Sequence, residues 1–410
     1  MEEKQTEHQI VRSYIQGIVT GILMVLLAAG VWWFIVHPTV FFSDVSSENG
    51  LSHAQMESVL KKANQIIDHI QKEYILEDIS NEALIEGMYG GIMDVLNDKY
   101  AAYYTKEEYA QVKKHTEGVY GGIGVSVNDE LEIVRVYQNS PAEQANIETG
   151  DRLIRINGVL TETMTKQERD SAMAGQLGDV KKLELYRPSA GTTYEVEVTL
   201  AEVETPTVFW RMMEDGIVYL QITAFENVTQ DQFEKAWTEI TSIGEMKGLI
   251  LDLRNNLGGG LNPVMKVANA LVPEGLVSYT EDKQGNRQEF RSEGTGAGVP
   301  MAVLVNEKSA SASELLAGAL KERGAAQLVG TTTYGKGIVQ TTWSLSDGTA
   351  FKMTTAKYYT PDGHNIQGTG IEPDIFIDLT AEQKAMTEIP EDEDMQLQTA
   401  LELVRTKLGK

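Results

Sequence analysis

The chain has 410 residues, with 60 acidic side chains against 35 basic ones, a formal net charge of −25 and a pI near 4.7. So acidic a surface repels a polyanion, which argues against nucleic acid as a partner. There is no cysteine, which excludes disulfides, thiol catalysis and cysteine metal sites.

A hydrophobic content of 42% with 37 glycines fits globular domains rich in turns, and the length suggests two or three of them. Residues 1–13 carry Lys4 and Arg12 and form a short polar tail. Residues 14–36, YIQGIVTGILMVLLAAGVWWFIV, carry no formal charge. At about 1.5 Å per residue a helix of that length crosses the ~30 Å hydrocarbon core of a bilayer. A cleavable signal peptide is the competing reading, but the apolar run continues through Trp32, Trp33 and Phe34, where a cleavage site turns polar. No Lys or Arg lies between Arg12 and Lys61, so the positive-inside bias puts the N-terminus in the cytoplasm and the bulk outside. The expectation is an uncleaved single-pass anchor in the cell membrane.

Residues 37–54 are turn-rich and read as a linker. Residues 55–115 place apolar side chains at helical spacing, which predicts a helical region. His69 and His115 lie within it without ligand spacing and read as surface or packing residues. Over 116–203 the period changes to short alternating strands. Residues 204–380 alternate strands with helices: GIVYLQI, TQDQFEKAWTEITSIG and MKGLILDLRNN make one such unit, and MAVLVN, SASELLAGALKERG and AQLVG another. That order implies a mainly parallel sheet with crossover helices, whose sites lie beyond the carboxyl ends of its strands. Residues 381–410 read as an acidic cap followed by a helical tail.

Two loops at those strand ends hold the chemistry. In NEKSASASELLAGAL, Ser309, Ser311 and Ser313 precede a helix, and Ser311 with Glu314 matches a capping box. By itself that motif favours a structural role. In GTTTYGKG, residues 330–337, a phosphate loop is spelled up to its last position, where Gly337 replaces the hydroxyl residue that would hold magnesium. A strand-like stretch follows instead of a helix, so phosphate binding is rejected. Of six histidines only His364 lies in the α/β part, in a Gly–Asn turn, and a Ser–His triad is unfavoured. Lysine is the alternative base, because a desolvated amine loses its proton more easily and can accept one from serine. If KGIVQ is a strand, Lys336, Ile338 and Gln340 share a face, and the Gln340 amide can orient the Lys336 amine. A surface lysine and an exposed glutamine are the bland reading, and taken alone these two residues favour it.

Further motifs decide the matter. Gly121, Gly122, Ile123 and Gly124, then NSPA at 139–142 and GDRLI at 150–154, resemble a PDZ domain over 116–203. DKYAAYYTKEEY, TEGVYGGIGV, LILDLRNNLGGGL, VNEKSASASELLAGAL, GTTTYGKGIVQ, TAKYYTPDG and IQGTGIEPDI together resemble the carboxyl-terminal processing proteases. These are also called tail-specific proteases, serine endopeptidases with an embedded PDZ domain, and the resemblance runs from about residue 55 to the end. It implies Ser311 as nucleophile, Lys336 as general base and Gln340 as the orienting residue, with Ser309 and Ser313 structural. It places the oxyanion hole at the Ala312 N–H and the Gly258–Gly259 loop, and the substrate's terminal carboxylate at the PDZ glycine loop. It implies no metal or organic cofactor, protein or peptide substrates with free C-termini, and dimer-forming elements in the N-terminal helices and C-terminal tail. Two positions depart from the pattern. Leu257 replaces a usual proline, and Ala174 stands where an arginine before Gly175 is common in relatives, which puts ligand-gated activation in doubt. The rivals are a non-catalytic PDZ scaffold on a decayed protease body and a hydrolase that uses His364.

Overall fold

The computed structural model describes residues 50–128, 130–386 and 389–409. The expected anchor at 14–36 falls outside them. Among the described residues no helix is long and apolar enough to cross a membrane.

The described residues divide into two compact units, one up to Gly87 and one from Met88 onward. In the first, the helix His53–Glu73 starts at Ser52, whose hydroxyl accepts the Gln55 N–H. None of its residues is buried, and Met56, Val59, Leu60 and Ile66 stand exposed. In the second unit, the helix Lys106–Glu117 is capped by Thr105 and ends on Gly118 in the left-handed region.

Residues 119–204 then form the small β domain expected from the alternation. Its four-stranded antiparallel sheet runs Val159–Leu160, Arg152–Ile156, Val180–Arg187, Thr192–Thr199. Inward side chains such as Ile133, Leu153, Leu183 and Leu185 make a separate core. The short helices Pro141–Gln144 and Lys166–Met173 lie where the sequence places them.

The larger domain is built on a six-stranded sheet in the order Val208–Met212, Ile217–Ile222, Gly248–Asp252, Met301–Val305, Gln327–Gly330, Ile375–Phe376. Only the first pair is antiparallel. Gly248–Asp252 and Met301–Val305 are buried at every position, which is why they read as unbroken apolar runs. Alternate side chains serve two cores. Val218, Leu249, Leu251, Val303 and Val305 pack with the helices Leu261–Leu271 and Ala312–Glu322. Ile217, Ile250, Ala302 and Leu304 pack with the C-terminal helix Met395–Lys407.

Sequence reasoning does not reach a second, five-stranded antiparallel sheet. Ala102–Tyr104, Ala350–Tyr359, Pro273–Asp282 and Arg287–Thr295 pair in that order, and Ile338–Ser344 joins Ala350–Tyr359. Its partners are far apart in the chain and mix charged with apolar residues, so no local signal marks it.

The C-terminal helix is locked by charge as well as by apolar packing. Arg254 follows a sheet strand and is 11% exposed. Its guanidinium meets Asp252 at 2.7 Å and Asp394 at 2.8 Å. Asp394 also caps the helix by accepting the Leu397 N–H, and Tyr219 donates to Asp252 at 2.6 Å. Arg254→Met would strand two buried carboxylates, a loss of about 3–5 kcal/mol. Denaturant titration should show that loss, with limited proteolysis opening the chain near residue 390 first.

Candidate active site

Three loops converge beyond the carboxyl ends of the central strands. Loop 253–260 follows Gly248–Asp252, loop 306–311 follows Met301–Val305, and loop 331–337 follows Gln327–Gly330.

The three serines separate at once. Ser309 and Ser313 are fully buried. Their hydroxyls donate to the carbonyls of Leu253 and Asn256 at 2.8 and 3.0 Å, stitching loop 306–311 and the first turn of the helix after it to loop 253–260. Asn255 and Asn306 add a pair of bonds between the same loops.

Ser311 differs from both. It precedes the helix Ala312–Glu322, yet its backbone sits at φ 56°, ψ −113°. The caps Ser52, Thr105, Thr165 and Thr380 all have the extended conformation, with φ from −60 to −65°, that N-cap residues normally adopt. A non-glycine residue at positive φ is strained, and such strain collects at functional positions. Ser311 is the outlier, so its place at the helix start is more than a cap.

Glu314 holds this geometry, and sequence reasoning saw it only as half of a capping box. Its carboxylate is fully buried. One oxygen accepts the Ser311 N–H and the Lys336 N–H, each at 2.8 Å. The other accepts the Thr333 hydroxyl at 2.6 Å and the Gly335 N–H at 2.7 Å. The backbones of the candidate nucleophile and the candidate base therefore hang on a single oxygen atom. The signal in the sequence was an acid at the start of an otherwise apolar helix.

The glycine loop closes over Ser311. A side chain on Gly258 would come within 2.8 Å of the Ser311 Cβ and 3.0 Å of the Ala312 nitrogen, and its φ is 97°. Only glycine fits there. Among the described residues the Ala312 N–H has no acceptor, as expected at the first position of a helix. The Gly258 N–H, expected as an oxyanion donor, is instead taken by the Asn256 side chain at 2.8 Å. Gly258 thus supplies clearance, and in this conformation it donates nothing to a substrate. Gly259, at φ 145°, has no acceptor for its N–H among the described residues, while the flanking Gly258 carbonyl and Gly260 N–H pair with Phe225.

Lys336 is half-buried. Burial lowers its pKa from the ordinary lysine value, and the charges of Lys352 and Lys99 push the same way against Tyr334 and Glu314. Its amine lies 4.8 Å from the centre of the Tyr100 ring. The strand expected to include it starts only at Ile338, and a bulge between Val339 and Gln340 breaks the alternation. Lys336, Ile338 and Gln340 therefore do not share a face by simple pleating. The Gln340 amide donates to the Ile338 carbonyl and the Thr354 hydroxyl, each at 3.4 Å, and not to Lys336.

His364 lies at the far end of the helix that Ser311 precedes. Its ring pairs with Glu322 at 3.1 Å, and Glu322 ends the helix that Ser311 begins, about 15 Å away at 1.5 Å per residue.

In the PDZ segment, Gly121 and Gly122 end the strand Val119–Gly122, which pairs with Ala201–Glu204. The carbonyls of Ile123 and Gly124 accept the Ala142 and Tyr137 N–H groups, while their own N–H groups have no acceptor among the described residues. Gly124, at φ 83°, lies against Ser140, where a Cβ would come within 2.2 Å.

The peptidase family S41 model matches residues 216–377, which include all three loops, and a PDZ model matches 132–187. A carboxyl-terminal-processing protease of Picosynechococcus sp. is 32% identical over 324 residues, 77% of this chain and 78% of the relative. The chain belongs to the carboxyl-terminal processing proteases of peptidase family S41. The carboxy-terminal processing protease CtpA of Bacillus subtilis is likewise 32% identical, over 347 residues, 83% of this chain and 74% of that one. A solved structure of the photosystem II D1 C-terminal processing protease aligns with a TM-score of 0.47 at 26% identity, over 77% of this chain and 86% of that one. The protein is thus a serine peptidase with a PDZ domain, and the decayed-scaffold rival loses its ground.

In this protease the Glu314 clamp yields a direct test. Glu314→Gln keeps the shape but turns an NH₂ group toward two of the four donors. Charge-assisted bonds of this kind are worth about 1.5–3 kcal/mol each. The expected outcome is a fall of at least roughly tenfold in kcat with little change in KM, measured by steady-state cleavage of a peptide.

Proposed function

We propose that this carboxyl-terminal processing protease cuts its substrates by a Ser311–Lys336 mechanism, with the chain anchored in the cell membrane and its catalytic part outside. The observation that carries the mechanism is the shared Glu314 oxygen, which binds the Ser311 and Lys336 backbones together. The neutral Lys336 amine takes the Ser311 hydroxyl proton as Oγ attacks the scissile carbonyl. The oxyanion is received by the Ala312 N–H and the Gly259 N–H. Collapse of the tetrahedral species expels the amine of the leaving fragment, which takes the proton back from Lys336. Water then hydrolyses the acyl-enzyme by the same relay. Gln340 enters as an orienting residue if its amide turns from Thr354 to the Lys336 amine, a role the family resemblance supports.

Substrate selection is assigned to the PDZ domain. The free N–H groups of Ile123 and Gly124 suit a terminal carboxylate. The strand Val125–Val127 pairs only with Ile133–Val136 among the described residues, leaving an edge for an extended peptide. Homodimer formation is assigned to the exposed apolar side chains of the helix His53–Glu73, including Leu60 and Ile66.

The test of the mechanism uses the full chain and casein as substrate. Ser311→Ala and Lys336→Ala should both be inactive. Lys336→Arg should be inactive too, because a guanidinium stays protonated. Parental activity should rise with pH through a pKa below the ordinary lysine value, since only the neutral amine accepts a proton. Burying a cation costs stability below that pKa, and stability recovers as pH rises toward the unfolded lysine's pKa. Lys336→Met should therefore raise Tm at neutral pH while abolishing cleavage. Full activity in Lys336→Ala would end the lysine mechanism.

The anchor rests on the uncharged residues 14–36 and on Lys4 and Arg12 before them. Protease added outside intact cells should digest the PDZ and peptidase domains and spare residues 1–12. Protection of the large domains would reverse the orientation.

A further inference from the structure

The Lys336 amine belongs to a cluster of cations. Lys99 stands 4.9 Å from the centre of the same Tyr100 ring that Lys336 approaches at 4.8 Å. It is held there by donating to the Tyr334 hydroxyl at 2.9 Å. Lys352 comes in from the strand Ala350–Tyr359, 5.4 Å from the Tyr104 ring. The protein carries 60 acids against 35 bases, so carboxylates are available to pair with lysines, as they do at Lys182, Lys266, Lys321 and Lys384 and not at most other described lysines. Among the described residues Lys99, Lys336 and Lys352 form no ion pair. Two carboxylates face the cluster; both are hydrogen-bonded by neutral donors, and Asp98 also feels the charge of Lys352. Glu314 is bound by three backbone amides and a hydroxyl. Asp98 accepts the Tyr100 N–H at 3.0 Å and is bound by Thr354. Two lysines without ion pairs at one ring, with a third at the neighbouring Tyr104 ring, repel one another across a short span.

We propose that Lys99 and Lys352 are positioning residues for the cleavage reaction, whose charges, one at the Tyr100 ring and one at the neighbouring Tyr104 ring, act through space to keep the Lys336 amine in its proton-accepting form. This rests on Lys336 being the base. The groups that face Lys336 are Lys99 and Tyr100 from the 98–101 turn, Lys352 from the antiparallel sheet, Tyr334 from its own loop and Glu314 from the helix Ala312–Glu322. Burial is the largest influence on the Lys336 amine, Lys352 and Lys99 add to it, and Tyr334 and Glu314 oppose it. Lys99 is itself held above the ordinary lysine value by its bond to Tyr334, so it stays charged wherever Lys336 titrates. An exposed charge at this range moves a neighbour's titration modestly, because solvent screens it. The bond from Lys99 to the Tyr334 hydroxyl and the approach of both amines to the Tyr100 ring limit how far that charge can move away.

The experiment is a pH profile of kcat for casein cleavage by the full chain and four variants. In Lys99→Met and in Lys352→Met the acid-side limb should move to higher pH, by roughly half a unit each, because Lys336 then holds its proton more tightly. Lys99→Arg keeps the charge and should restore the parental limb. Tyr334→Phe removes the hydroxyl but not the lysine, and should not move the limb upward. Lys99 is exposed and its variants should fold. The proposal is overturned if both Met variants leave the limb in place, or if Lys99→Arg shifts it as far as Lys99→Met. It is also overturned if the loss is confined to a higher KM for substrates with free rather than amidated C-termini, which would make the lysines a substrate-binding site. Lys336→Ala run beside them separates the two levels. An inactive Lys336→Ala with an unmoved limb sinks only this proposal, whereas cleavage by Lys336→Ala removes the base on which it depends.

Discussion

The buried carboxylate of Glu314 is the constraint on which the candidate active site turns. It is a charge without solvent, held by four donors from two loops. Losing any donor leaves a charge in a low-dielectric interior partly unpaired, so the arrangement is all or nothing. That cost holds the loop 331–337 against the start of the helix Ala312–Glu322. It also helps to hold Ser311 at a backbone angle that serine avoids. The positive φ of Ser311, the register of Lys336 and the free Ala312 N–H all sit within this one clamp.

The surrounding fold makes such a clamp affordable. Two buried parallel strands deliver the loops, and the helix they feed is buried at every position from 312 to 320. Small residues in that helix let it approach closely, and the buried hydroxyls of Ser309 and Ser313 tie its start to the glycine loop. On the opposite face of the sheet, Arg254 performs the matching task for the C-terminal helix, bridging Asp252 and Asp394. Polar bonds thus set the register at the strand ends, and apolar packing carries the bulk.

The two departures from the family pattern now have structural settings. Leu257 stands 69% exposed beside Gly258, so the loop keeps its course without proline because Asn256 fixes it by bonds to Ile222, Gly258 and Ala310. Ala174 ends the helix Lys166–Met173, and the carbonyl of Gly175 lies so near Gly121 that a Cβ there would come within 2.8 Å. Backbone, not an arginine side chain, makes the contact between that helix end and the strand leading into the PDZ glycine loop.

Much of this protein was legible in its sequence. Unbroken apolar strands, helical spacing and Gly or Ser–Pro turns are local signals, and they located the PDZ domain, the parallel sheet and the C-terminal helix. The candidate residues Ser311 and Lys336 and the glycine loop stand out in the sequence through the motifs that surround them. What the tertiary structure alone decided depends on partners far apart in the chain. The antiparallel sheet joins residues 102–104 to 350–352, Glu314 reaches across to 333–336, and Lys99 meets Tyr334 over 235 positions. Gln340 and Gly258 show the converse, because pleat alternation and a glycine count said nothing of the bulge at Val339 or of the Asn256 side chain that takes the Gly258 N–H. Local propensity follows from each residue's own backbone and neighbours. A hydrogen bond's second partner, and the burial that makes a charge expensive, exist only once the chain has folded.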